Sequence, residues 1–167
     1  GEGEAAIDAV AGLLDAEDPN YQARALWVLD RIGGRGRLFV VERLSDEHAA
    51  FRALAVRILA RHGDEYAAEI LAQADDSAVE VRREVLLALP GISNEAAAET
   101  LVRLASSEDL SDRYMLETVN IAADGRREML FEQIAEGNEL SPGTIGLLRV
   151  LDPKETVALL VAASSER

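Results

Sequence analysis

Arg24, Arg52, Arg82 and Arg113 recur at intervals of 28, 30 and 31 residues, and the first three stand six residues after an aspartate: Asp18, Asp46 and Asp76. A guanidinium presents a planar fork of donors that a carboxylate accepts two at a time. In the fourth copy, SSEDLSDRYMLETV, Ser107 stands where the aspartate is expected. His48 and His62 are the only histidines, and they lie 14 residues apart. That is about 21 Å along a helix, too far to share a metal that needs three or four converging ligands. His62, near a helix C-terminus, reads as dipole-favoured. Gly33–Gly34–Arg35–Gly36–Arg37 has the composition of an anion cradle. It lacks the preceding strand and the Lys-Ser/Thr of a phosphate loop, and reads as a helix C-cap and tight turn.

Three rows of polar residues spaced by four are the most specific surface feature: Glu65, Glu69 and Gln73; Glu95, Glu99 and Arg103; Glu128, Glu132 and Glu136. Spacing by four places each trio on one helix face. Stacked in register, the trios would pool seven carboxylates into one acidic patch suited to a basic partner. The bland reading is a solvated face. No cysteine nucleophile and no nucleophile elbow occur, and two histidines do not assemble a catalytic triad. The segment reads as non-enzymatic, with no cofactor and no metal.

The elements that position these residues follow from apolar spacing and turn chemistry. Residues 4–15 form an amphipathic helix, the second half of a partial unit. Asp18 as N-cap and Pro19 at the first helical position open the next helix, which Gly33 and Gly34 close. The same alternation predicts units at 18–44, 46–74, 76–106, 107–137 and 141–164, each a helical pair. Asp46 and Asp76 open two of them, Asn94 caps a second helix, Gly137–Asn138 breaks another, and Ser141–Pro142 starts the fifth pair. The period near 30 residues means stacked helical pairs, since each leaves an apolar face that only a neighbour can cover.

Bulk composition agrees. The 167 residues are 49% apolar and 4% aromatic, so the core must be aliphatic. A net charge of −14 repels nucleic-acid phosphates. No apolar run is long enough to span a membrane. Gly1 reads as a cleavage scar and the chain as a piece of a longer protein. Its terminal helices should then show aliphatic surface at Ile7, Val10, Val157 and Leu160, allowing a monomer or a weak end-to-end dimer.

An aspartate at the turn and an arginine six residues on, inside the first helix of each pair, resembles HEAT and HEAT-like repeats. That resemblance implies an all-α fold, a right-handed alpha-alpha superhelix of about five pairs. It also implies a ladder in which Arg24, Arg52, Arg82 and Arg113 reach turn aspartates, and a concave side lined by second helices. Ser107 departs from the ladder, and the fifth unit has Ile145 near the arginine's place. A further stretch, LLALPGISNEAAAETLVRLA with DRYMLETVNIAADGRREMLFEQI, is similar to the helical-repeat segment of large bacterial proteins. Those proteins join a dehydrogenase-like propeller to a c-type haem domain, which implies an exported setting and a redox parent. No redox activity carries over, because neither the propeller nor the haem-attachment motif is in this chain.

The expected function is a protein-interaction or scaffold module, its partner a protein, the flanking domains of its own chain included. A structural spacer and a HEAT-like enzyme of the lyase or glycosylase class are the alternatives. The charge disfavours the glycosylase, and no residue supports the lyase.

Overall fold

The computed structural model describes residues 2–137 and 140–165; Gly1, Asn138 and the last two residues of the SSER terminus lie outside the described residues. The fold is an all-α solenoid. First helices α2 (Pro19–Ile32), α4 (Ala49–Leu59), α6 (Val79–Ala88), α8 (Arg113–Ala122) and α10 (Pro142–Leu151) stack as one layer. Second helices α1 (Glu2–Ala11), α3 (Arg35–Glu42), α5 (Ala67–Leu71), α7 (Glu95–Ser107), α9 (Arg127–Gly137) and α11 (Pro153–Ser165) form the other.

Local chemistry starts these helices. The Asp18 carboxylate accepts from the backbone N–H of Asn20, Asn94 from that of Ala97, Asp112 from that of Tyr114, and the Ser141 hydroxyl from that of Thr144. Each satisfies a donor that the first helical turn leaves without a partner. Asp46 and Asp76 act two residues before the N-cap rather than at it. Their carboxylates accept from the N–H groups of His48 and Ala78, which are themselves the N-cap residues.

The core is a column of aliphatic side chains. Leu14, Leu44, Ala74, Leu104 and Ile134 are all buried and stand 30 residues apart. Leu29, Leu59 and Leu89 form a second such column at the C-terminal ends of the first helices. Burying each leucine contributes about 1.5–3 kcal/mol, and both columns cross every unit they touch.

Two features differ from the expectation. The second helix of the 46–74 pair is not continuous, because α5 spans only Ala67–Leu71 between 3-10 turns at Ala60–Tyr66 and Ala72–Asp75. Gly63, at φ 56°, interrupts the chain before it, and a Cβ there would sit 3.0 Å from the Gly91 carbonyl oxygen. At the first terminal helix, Ile7 is 4% exposed rather than open, since it packs into the core cluster. Val10 is half-buried. At the other end Val157 is 61% exposed and Leu160 half-buried.

Candidate functional site

The arginines of α4 and α6 join three successive turns. Arg52 donates through Nε and Nη2 to the two carboxylate oxygens of Asp76, at 2.6 and 2.8 Å. Its Nη1 donates to the carbonyls of Asp46 and Glu47, at 2.8 and 3.2 Å. Arg82 repeats this geometry, with Nη1 on the carbonyls of Asp76 and Ser77 and the other two nitrogens on Glu108. Each guanidinium therefore closes its own turn and holds the next. The bond from Arg52 keeps the Asp76 carboxyl below the usual carboxylate range; burial opposes this, and the Ala78 N–H assists. Burial pushes Asp46 the other way, yet bonds from the His48 N–H and from Arg43 leave it below its ordinary value.

The outer rungs need correction. Ser107 does not hold the aspartate's place, because Glu108 does. The turns at Ala16, Asp46 and Asp76 close with a 3-10-type bond to the carbonyl three residues back. The fourth turn closes α-helically, Glu108 N–H on Leu104 O at 3.0 Å, so the carboxylate falls later in the chain. Arg24 is exposed and lies two residues out of register. The residue equivalent to Arg52 is Gln22, whose Nε2 donates to the Ala16 carbonyl at 2.7 Å. Asp18 accordingly corresponds to His48 and Ala78, and Asp46 is held by Arg43 at 2.6 Å. Arg113 is the first residue of α8 and exposed. The ladder position there belongs to Leu116, whose N–H reaches the N-cap Asp112 carbonyl as those of Arg52 and Arg82 reach His48 and Ala78. In α10 the same place is Ile145.

A second set of polar ties lines the opposite edge, at the turns inside each pair. Asp30, 4% exposed, has His62 Nε2 at 2.7 Å and Arg37 Nε at 3.4 Å. Arg37 also donates to Glu65 at 2.9 Å. Asp64 accepts from the Ser93 N–H and hydroxyl, and Arg126 donates to the carbonyls of Leu89 and Ile92. His62 is thus an inter-unit tie as well as a helix-end residue. The glycine-arginine run is a turn: Gly33 and Gly34 have positive φ, and a Cβ on Gly36 would lie 2.5 Å from the Leu29 carbonyl oxygen.

The acidic trios do not merge into one patch. Glu65 precedes α5, in a 3-10 turn, and is engaged by Arg37, while Glu69 is half-buried. Glu95 and Glu99 line a cleft between α7 and α9 together with Ala98, Val102 and Met129. Arg103, at the end of that row, reaches back to Asp75. Glu128 and Glu132 line the next cleft, between α9 and α11, with Phe131, Asp152 and Glu155. Glu136 is exposed near the end of α9. Among the described residues no group of three or more His, Cys, Asp or Glu side chains is placed to hold a metal ion, and no helix is long and apolar enough to cross a membrane.

Residues 37–117 match the family model for HEAT repeats. That span runs from α3 to α8 and includes both bidentate rungs. The solenoid is also similar to a chain in the structure of the complex of CpcE and CpcF of phycocyanin lyase from Nostoc sp. PCC7120. The TM-score is 0.60 at 18% identity, over 88% of this chain and 98% of that one. No curated protein matches the sequence.

Sequence reasoning overlooked Gln22, Glu108 and the His62–Asp30 tie. The signal for Gln22 was available in the buried column, because aligning the units on Leu14, Leu44 and Ala74 places Gln22 opposite Arg52. Nothing local to His62 or Asp30 announces their meeting across 32 residues.

Proposed function

We propose that this chain is a non-catalytic protein-interaction module that receives a protein partner on its second-helix surface. One observation carries the reading. Successive second helices α7, α9 and α11 leave two open clefts, each with carboxylates beside apolar side chains. On a chain of net charge −14 these carboxylates attract a basic partner and repel phosphate polymers. The HEAT-repeat match and the fold shared with a component of a two-protein complex support a protein as that partner. Flanking domains of a longer chain are the nearest source of one, as the resemblance over about residues 85–135 implies.

A role as interdomain spacer draws support from the two-sided ladder, which stiffens the stack. The fold neighbour belongs to a phycocyanin lyase, which keeps a lyase component as the enzymatic alternative. To test the interaction reading, Glu69, Glu99 and Glu132 are replaced together by glutamine and binding to the flanking domains is measured at low salt. Affinity should fall, and the wild-type interaction should weaken steeply with ionic strength. Unchanged association would return these glutamates to a solvated surface.

A further inference from the structure

We infer that the cleft between α7 and α9 receives a basic amphipathic helix, with an aliphatic side chain seated between Val102 and Met129 and cationic side chains on Glu95 and Glu99. The inference rests on the interaction role proposed above and names the chemistry of its partner. The cleft has a volume of about 420 Å³. Its α7 wall is Glu95, Ala98, Glu99, Val102 and Arg103, at positions i, i+3, i+4, i+7 and i+8 of one helix face. The eight helical steps from Glu95 to Arg103 span about 12 Å, so the wall is an elongated groove side rather than a point site.

Across it stand Met129 and Gln133 of α9. Val102 and Met129 are half-buried and packed on the core, so they form a fixed apolar floor. Methionine adapts to the shape of an incoming aliphatic group. Among the described residues that line the groove, the one cation, Arg103, is already turned to Asp75. Glu95 and Glu99 take no part in the ion pairs that join the repeats among the described residues, and the neighbouring Arg103 guanidinium is engaged by Asp75, so both carboxylates are open to an arriving cation. A helix laid in a groove presents residues at i, i+3, i+4 and i+7, which matches an apolar floor with charged walls. The neighbouring cleft fits less well, because Arg127 stands among its carboxylates and donates to Asn120 and to backbone carbonyls. The carboxylate walls repel an anionic lipid surface or a nucleic acid.

The probe is a synthetic helix of leucine and lysine, about 14 residues or roughly 21 Å long, with its leucines on one face. A second peptide replaces each leucine by serine at equal charge. Methyl NMR shifts and titration calorimetry report on the intact chain. The leucine peptide should shift Ala98, Val102 and Met129 selectively, and the serine peptide should bind at least about tenfold more weakly. Met129→Lys should weaken the leucine peptide by about tenfold or more, while Phe131→Ser, in the adjacent cleft, should leave it unchanged. Equal affinities for the two peptides, shifts centred on Phe131 and Glu132, or no binding of either peptide would each overturn the inference. Those results leave the glutamine triple variant and the flanking domains as a separate judgement on the interaction role.

Discussion

Between the second and third units, Arg52 closes its own turn and grips Asp76. Two units on, the same register position holds Leu116, and after it Ile145. The central rungs are charged and the C-terminal ones aliphatic, yet the helices of both regions stack in the same layer. A Cβ on Gly146 would lie 3.1 Å from Leu116 Cδ1, so this leucine is seated against α10. The position is therefore a slot between units rather than an arginine site. A cation occupies it where the turn presents two carbonyls and the following turn a carboxylate. In the fourth unit the turn runs on to the N-cap Asp112, four residues past Glu108, and an aliphatic side chain fills the slot. Both solutions are sound, because a partly buried ion pair offers little net advantage over a well-packed hydrophobe. Their failure modes differ, since removing half of a pair leaves the other half desolvated.

That difference makes the comparison breakable. The largest effect is expected at Asp76→Ala, which removes the acceptor for Arg52 and for the Ala78 N–H together. Urea denaturation should show a loss of about 3–5 kcal/mol, and a loss under about 1 kcal/mol would make the rung a surface pair. Arg82→Ala, whose carboxylate partner sits one unit further along, should cost nearly as much by the same assay.

Part of that stabilisation should disappear in acid. Asp76 and Asp46 have folded-state pKa values below their ordinary ones. Their contribution is complete above the unfolded value of about 4. It is lost as pH falls through the lowered folded values, because the unfolded chain then binds protons first. Stability measured from pH 6 down to pH 2 should fall in wild type and fall less in Asp76→Asn. Parallel curves would mean that the rung does not titrate with folding.

Leu116→Arg tests the slot from the other side. The new guanidinium would replace a leucine seated against α10 and should destabilise by about 1–3 kcal/mol. A gain in stability would show that the fourth turn can supply a rung after all. The smallest effect belongs to Arg24→Ala and Arg113→Ala. Both residues are exposed and outside the ladder register, so each change should stay within about 0.5 kcal/mol. A loss near that of Arg82→Ala at either position would restore the original alignment.

Much of the fold was legible because helical pairs write their period into aliphatic spacing, and Leu14, Leu44, Ala74, Leu104 and Ile134 keep it without drift. The polar residues are less faithful. Asp18 and Arg24 reproduce the six-residue offset, but Asp18 is a helix N-cap, a role that aspartate fills on its own local merits. The offset there coincides with the motif without sharing its register. The acidic rows were legible as residues and not as a surface, because the face of a helix that meets a given neighbour depends on how the two are rotated. On α9, Met129 and Gln133 turn towards α7 whereas Glu128 and Glu132 turn towards α11.

The sequence by itself determined the helical pairs, the aliphatic core and the acidic character, because these follow from composition, capping and periodicity within some 30 residues. The tertiary structure alone decided that Glu108 replaces Ser107 on the ladder, that His62 meets Asp30, and that the glutamates divide between two clefts. Those outcomes turn on whether one turn closes to the third or fourth carbonyl and on the rotation of neighbouring helices. Both are set by packing between units, where no single segment carries the information.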